Sequence, residues 1–258
     1  YSDYYKSIIL GGEWFINNQY KSFLYYEYDY QKKQHSSKSH SLREMGALWS
    51  ISKLSHFLAD ERYDVLAKRG IKYFEKYFKY DSDNDFYYVD ITPQKIKLGY
   101  TAFIILTLLE IDHPEKEEYL RKFANGILFM QNPSGELRTF FYSDRDTGKD
   151  YYPGEALVAL ISLYEYTNDE SYLNAVNKAF PFYVEYFRSN PNTAFVPWQS
   201  RAYHKLYKLT QNKEVADFIF EMNDFMLSKN NPNGCEQFDF ARGITTAVFL
   251  EGVIAAYD

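Results

Sequence analysis

The chain has 258 residues, enough to bury a sizeable core as one large domain or two small ones. Its formal net charge of −6 and pI near 5.5 show no basic face to neutralise phosphates, so neither nucleic acid nor an anionic membrane surface is an expected partner. The longest apolar runs fall short of the ~20 residues that span a bilayer, and the one cysteine, Cys235, excludes an internal disulfide and a cysteine-rich zinc site while assigning no compartment. The chain opens at Tyr1 with no methionine and no signal-like segment, as a processed or trimmed chain would. Aromatic residues make up 20% of it, with 27 Tyr and 21 Phe. That composition suits both wide helix packing and the stacking of sugar rings, because tyrosine offers a flat apolar face and a hydroxyl.

In chain order, apolar residues recur at helical spacing from Tyr4 to Asn18, and the aromatic run 23–30 is then extended or loop-like. A polar loop with His35 and His40 leads to a helix from Ser41 to about Leu58. The same order returns. A helix with an acidic first turn starts at Asp60, 85–90 is extended, and a helix runs from about Lys95. Pro114 opens a helix to Met130, 135–142 is extended, and a helix follows at Tyr152. A helix from Asn168 to Arg188 precedes an extended 194–197 and a helix at Trp198. Finally, a helix from Asn212 to Ser228 leads to a turn at 231–234, an extended 235–238 and a last helix from Asp239 to Tyr257.

Gly46, Gly99, Gly154, Ser200 and Gly243 mark equivalent points of five repeats, at periods typical of helical arrays. Within each repeat the second helix is the more apolar, as in 101–109 and 156–163, whereas the first carries Lys, Glu and Asp on one face. An inner and an outer ring of one all-α domain spanning 1–258 result. The second helices are too apolar and too rich in Gly and Ala to keep a solvent stripe, which favours a closed toroid over an open solenoid.

The outer-helix opening Asn168-Asp-Glu-Ser-Tyr-Leu and the inner-helix starts Tyr152-Pro-Gly-Glu155-Ala and Phe240-Ala-Arg-Gly243 resemble those of the α/α-toroid proteins. That broad group includes six-hairpin glycosidases, sugar 2-epimerases, some polysaccharide lyases and terpenoid cyclases. The resemblance covers essentially the whole chain and implies an architecture rather than particular catalytic residues. The aspartate-rich motif of terpenoid cyclases is absent, and five hairpins in place of six leave the ring open or continued in further sequence.

In such a ring the inner-helix N-termini open on one end, where unpaired backbone donors and a partial positive charge suit an oxygen-rich ligand. The polar residues at the five starts are Arg43 and Glu44; Lys97 and Tyr100; Asp150, Tyr152 and Glu155; Trp198, Gln199 and Arg201; and Asp239, Arg242 and Thr245. Glu155 stands in the first turn of an apolar helix, either as an acid or base with a burial-shifted pKa or as a capping carboxylate. Asp239 is either an N-cap or a second carboxylate. Together they would form the acid and base, or acid and nucleophile, of glycoside chemistry. Arg43, Arg201 and Arg242 would grip a carboxylate-bearing sugar or tie the inner ring together through Glu44, Glu155 and Asp239. With a uronic acid substrate, Tyr100 or Tyr152 becomes a proton abstractor of a lyase or epimerase; Trp198 is a stacking platform, with Trp14 and Trp49 assigned to packing. The expected ligand is a carbohydrate, acted on by a hydrolase, lyase or epimerase, or bound without turnover. No cofactor is expected. Nor is a metal: the five histidines lack ligand spacing on a shared helix face, and Asp81 to Asp85 reads as a polar turn rather than a calcium loop.

Overall fold

A computed structural model of the protein describes residues 2–20, 23–92, 95–229 and 243–258. The helices are α1 (Ser2–Asn17), α2 (Ser41–Leu58), α3 (Glu61–Phe74), α4 (Leu98–Glu110), α5 (Lys116–Phe129), α6 (Tyr152–Thr167), α7 (Glu170–Ser189), α8 (Val196–Thr210), α9 (Lys213–Lys229) and α10 (Gly243–Tyr257). The even-numbered helices pack side by side in succession, α2 on α4, α4 on α6, α6 on α8 and α8 on α10. They form the inner ring. Helices α3, α5, α7 and α9 lie outside it, each packed on the inner helix that precedes it in the chain. Among the described residues, no helix is long and apolar enough to cross a membrane.

The repeat legible in the sequence pairs each outer helix with the inner helix after it, whereas the intimate hairpins run the other way. Three of the turns closing them use a residue in the left-handed region, Ala59 (φ 51°), Asn168 (φ 58°) and Gln211 (φ 54°), to end the inner helix. Side-chain oxygens then start the outer one: Asp60 accepts from the Arg62 amide (3.0 Å), Asp169 from Ser171 (2.9 Å) and Asn212 from Glu214 (2.9 Å). Such short links hold the two helices antiparallel. Among the described residues, the long connections from outer to inner helices therefore lie at the opposite end.

Those connections carry most of the extended structure. Strands β1 (Gln19–Tyr20) with β2 (Phe23–Leu24) and β3 (Tyr28–Asp29) with β4 (Gln34–His35) form two short antiparallel pairs before α2. Strands β5 (Phe78–Asp81) and β6 (Phe86–Val89) pair before α4, with Phe78 opposite Val89. Asp81 to Asp85 is the turn of that hairpin, Asp81 Oδ1 accepting from the amides of Asp83 (3.0 Å) and Asn84 (3.1 Å). The segment 135–142 makes only the isolated bridges Gln131 to Leu137 and Lys97 to Phe140. Residues 194–197 are not extended, contrary to the sequence-based expectation. Asn192 Oδ1 accepts from the Ala194 amide (2.8 Å), Phe195 takes helical angles, and Pro197 stands in the first turn of α8, where its missing N–H costs nothing. The expected turn, extended piece and helix start at 231–239, with Cys235, lie outside the described residues.

Burial follows the two rings. Every residue of α4 from Leu98 to Leu108 and of α6 from Pro153 to Ile161 is buried, so both are wrapped by protein on all sides. Between the rings an aromatic layer links α7, α8 and α9. Tyr203 meets Phe180 (5.2 Å) and Phe218 (5.8 Å) near edge-on or tilted, and Phe187 stacks on Phe195 (5.4 Å).

Candidate functional site

The five inner helices surround a cleft of roughly 720 Å³ at the end where their N-termini emerge. His40, Arg43 and Trp49 line it from the α2 side, Lys97 and Phe103 from α4, and Tyr151, Tyr152 and Glu155 from α6. Trp198 and Arg201 of α8 and Glu251 of α10 complete the wall, so α2 and α10 face one another across it.

Glu155 is the unusual group. It is 4% exposed, its Oε2 has no hydrogen-bond partner among the described residues, and α6 has no side-chain cap, so the carboxyl does not serve as one. Burial pushes its pKa up to about 8, against an opposing pull from the Lys97 ammonium. The carboxyl is therefore neutral at pH 7. A Cβ on residue 99 would overlap Glu155 Oε2, so the absence of a side chain at Gly99 is what admits the carboxyl between α4 and α6. One helix further on, a Cβ on Gly154 would lie 2.6 Å from the Trp198 Cβ, which allows α6 and α8 a similarly close approach.

Burial also shifts the titrating groups around Glu155. The Lys97 Nζ lies 5.4 Å from the centre of the Tyr100 ring and 5.8 Å from that of Tyr152, and burial lowers its pKa. The Tyr152 hydroxyl is pushed up to about 12 by burial and by Glu155. Burial also raises that of Tyr100. Neither is prepared to act as a base near neutrality.

The floor is aromatic. The Arg201 guanidinium lies 4.7 Å from the ring centres of both Trp49 and Trp198, whose own centres are 6.2 Å apart, and Phe103 meets Trp198 edge-on at 5.5 Å. Arg201 also donates to Glu251 Oε2 (2.8 Å). The two ring contacts, on neighbouring rings to one side of the guanidinium, and the ion pair together fix a planar cation that sits largely out of solvent. Trp198 is thus half engaged by packing, and Trp49, which the sequence assigns to packing, also borders the cleft.

The remaining sequence candidates divide by placement. Arg43 donates from Nη1 to the Tyr26 hydroxyl (2.6 Å), and Glu44 accepts from the Ser39 hydroxyl (2.8 Å) and the His40 amide (3.3 Å) as part of the start of α2. Asp150 accepts from the Tyr186 hydroxyl (3.2 Å) and the Asn192 amide group (3.1 Å). Of the arginines expected to tie the inner ring together, Arg43 meets Tyr26 and Arg201 pairs with Glu251 across α8 and α10, a carboxylate other than the three expected. Tyr100, at 4% exposed, and Gln199, at 0%, stand at the right level of their helices but are not among the residues lining the cleft. Asp239 and Arg242 lie outside the described residues, as does the Thr245 side chain. Glu251 escaped the sequence reading, although its signal was there: it is the one charged residue of α10.

Far from the cleft, Glu75, His113 and Glu115 bring one potential ligand atom each within 4.8 Å of one another. Both ring nitrogens of His113 and both carboxylate oxygens of Glu75 already have protein partners. His113 Nδ1 accepts from the Glu115 amide (3.2 Å), Nε2 meets Glu75 Oε1 (3.1 Å), and Lys72 holds Glu75 Oε2 (2.6 Å). The cluster joins His113 and Glu115 of the α4–α5 link to Glu75 at the end of α3, 38 residues away from His113 in the chain.

No family model and no curated protein sequence matches the chain. Solved structures do. A family 76 glycoside hydrolase from a bovine Bacteroides thetaiotaomicron strain superimposes with a TM-score of 0.63 at 15% identity, over 84% of this chain and 56% of that one. The chain thus spans little more than half the length of that protein. A GH76 α-mannanase of Bacteroides thetaiotaomicron gives 0.70 at 12% identity over 97% of this chain and 78% of its own. The chain thus has an α/α-toroid fold. A further family 76 mannosidase of the same species aligns over 84% of this toroid and 70% of its own chain, at a TM-score of 0.63 and 14% identity.

Proposed function

We propose that the protein is a carbohydrate-active enzyme that cleaves a glycosidic bond in this cleft, with Glu155 as the proton donor. The observation that carries the reading is a buried carboxyl without a hydrogen-bond partner among the described residues, its pKa raised by burial, in the wall of a cleft lined by all five inner helices. A glycosidase acid must hold its proton at working pH and release it to the departing oxygen, and a raised pKa of this kind equips it to do so. Asp239 is the proposed second carboxylate, activating water or attacking the sugar. Glu251 is less suited to that role, since Arg201 neutralises it.

Substrate contacts in this reading come from Arg43, Tyr152, Trp198 and Arg201, which line the cleft, and from Arg242; Tyr100 and Gln199 act from behind the wall. Hydrolysis is favoured over elimination or epimerisation because the Tyr152 hydroxyl is held near 12 and Tyr100 is also raised, so neither is a ready proton abstractor. A uronic acid finds Arg201 already satisfied by Glu251, which leaves Arg43 as the grip and makes a neutral sugar the better fit. Two of the similar structures are described as a mannosidase and an α-mannanase, so α-mannan is the first polymer to offer. The whole chain, 1–258, is proposed to act as one toroid domain.

The test is release of reducing ends from α-mannan and from a panel of neutral and uronic acid polysaccharides by wild type, Glu155→Gln and Asp239→Asn. Turnover by wild type alone supports the assignment. Equal turnover by Glu155→Gln overturns it, and binding without turnover by wild type would make the protein a glycan-binding toroid instead.

A further inference from the structure

A second cleft, of roughly 760 Å³, adjoins the first on the side of the β1 to β4 hairpins. Tyr25, Tyr26 and His35 supply its hairpin wall, and Tyr73 and Lys76 close it from the α3 side. Its rings are arranged rather than scattered: Tyr25 lies flat on His35 (3.6 Å, 7°), and Tyr20 follows at 4.4 Å. Lys76 Nζ sits 4.0 Å from the Tyr73 ring centre and 4.8 Å from that of Tyr77.

Only one ridge separates the two clefts. Tyr26 faces the second, yet its hydroxyl accepts from Arg43, which lines the first; its ring lies 6.0 Å from that of His40, another first-cleft residue, at 24°. A ligand leaving the catalytic cleft over Arg43 therefore passes directly onto Tyr26.

We propose that this cleft is a subsite for the non-reacting arm of the same polysaccharide, an inference that rests on the glycosidase reading above. Aromatic rings and their hydroxyls, serine and glutamine side chains beside them and a lysine among the lining residues match the alternating CH groups and hydroxyls of a neutral glycan chain. The cavity lies within the ~300–1,000 Å³ of small-ligand sites. Two linked sites holding one chain make affinity rise with chain length, because the second contact is made at high effective concentration. Binding energy gained away from the scissile bond is also available to position it.

The experiment uses α-mannan oligosaccharides graded from dimer to octamer. Their binding to Glu155→Gln protein is followed by calorimetry, and their turnover by the active chain is followed in parallel. Tyr73→Ala and Tyr25→Ala are expected to weaken octamer binding by about tenfold and leave dimer binding unchanged, with Tyr25→Phe retaining the advantage. Tyr73, on α3, provides the check if loss of the Tyr25 ring unfolds the hairpin. Selective loss for long chains supports the subsite even when wild type turns nothing over, which would sink only the enzyme reading. If mannan is turned over but both alanine variants keep the full long-chain advantage, the subsite is wrong and the enzyme reading stands. Failure of the octamer to bind better than the dimer in the parent protein also overturns it.

Discussion

Glu155→Gln keeps the volume of the side chain and removes the ionisation that burial opposes. In the folded chain the carboxyl ionises near 8, against an ordinary 4.5. Because the folded value is raised, the group's contribution to stability is fully present below about pH 4.5 and is lost as pH climbs through about 8. The interval, 8 − 4.5, at about 1.4 kcal/mol per unit comes to about 5 kcal/mol. Local relaxation reduces this, so about 3 to 5 kcal/mol is the expected size of the effect. Urea denaturation of wild type and Glu155→Gln at pH values across that window isolates it, since every other titrating group is common to both. The variant should gain on wild type steadily as pH rises and level off above about 8. Stability curves that stay parallel would refute a carboxyl held neutral by burial, and with it the role as proton donor. In activity, wild type should lose turnover on the alkaline side as the carboxyl ionises, and the variant should show no turnover to lose.

Lys97→Met removes the cation that pulls the Glu155 pKa down, so the alkaline limb and the stability window should both move to higher pH; a downward shift would contradict the assigned sign. Gly99→Ala places a methyl group onto Glu155 Oε2 and should cost about 1–3 kcal/mol in denaturant unfolding together with most of the turnover. Arg201→Lys keeps the charge but loses the planar guanidinium held against Trp49 and Trp198, and should lower stability by about 1–2 kcal/mol and change tryptophan fluorescence. Tyr183→Phe leaves the buried Leu137 amide without its acceptor, now 3.0 Å away, and should cost about 1–3 kcal/mol while leaving the cleft intact, as read by thermal melting and unchanged ligand binding.

The alternation of amphipathic and wholly apolar helices was enough to read the two rings. The facing of individual residues was not, and the cause is physical. A half-buried helix advertises its inner face through a 3.6-residue stripe, but α4, buried from Leu98 to Leu108, has no stripe and hence no phase. Tyr100 was therefore legible as near the mouth but not as turned away from it. Gln199 is a different case, since α8 carries a stripe and Gln199 falls on it with Ala202, Tyr203 and Leu206, while Trp198 beside it faces the cleft. Glu251 lies further along its helix than the starts of the other four, so a search confined to N-termini passed over it. The direction of the tight hairpins was hidden for another reason: a left-handed Ala59 or Gln211 gives no glycine signal to mark a two-residue turn.

The placement of the short turns also accounts for the chemistry of the cleft. With the chain spent sparingly on one end of the ring, all the length available for walls, hairpins and aromatic segments accumulates at the other, where the inner-helix N-termini already favour oxygen-rich ligands. Close approach of α4, α6 and α8 through Gly99 and Gly154 then strips water from whatever side chain lies between them. In most of the ring that side chain is aliphatic, and the approach simply adds burial. At Glu155 the same approach excludes water from a carboxyl and holds its proton in place. A larger residue at 99 would open the helices, rehydrate the carboxyl and return its pKa toward 4.5, so ring packing and acid strength are predicted to change together, never one without the other.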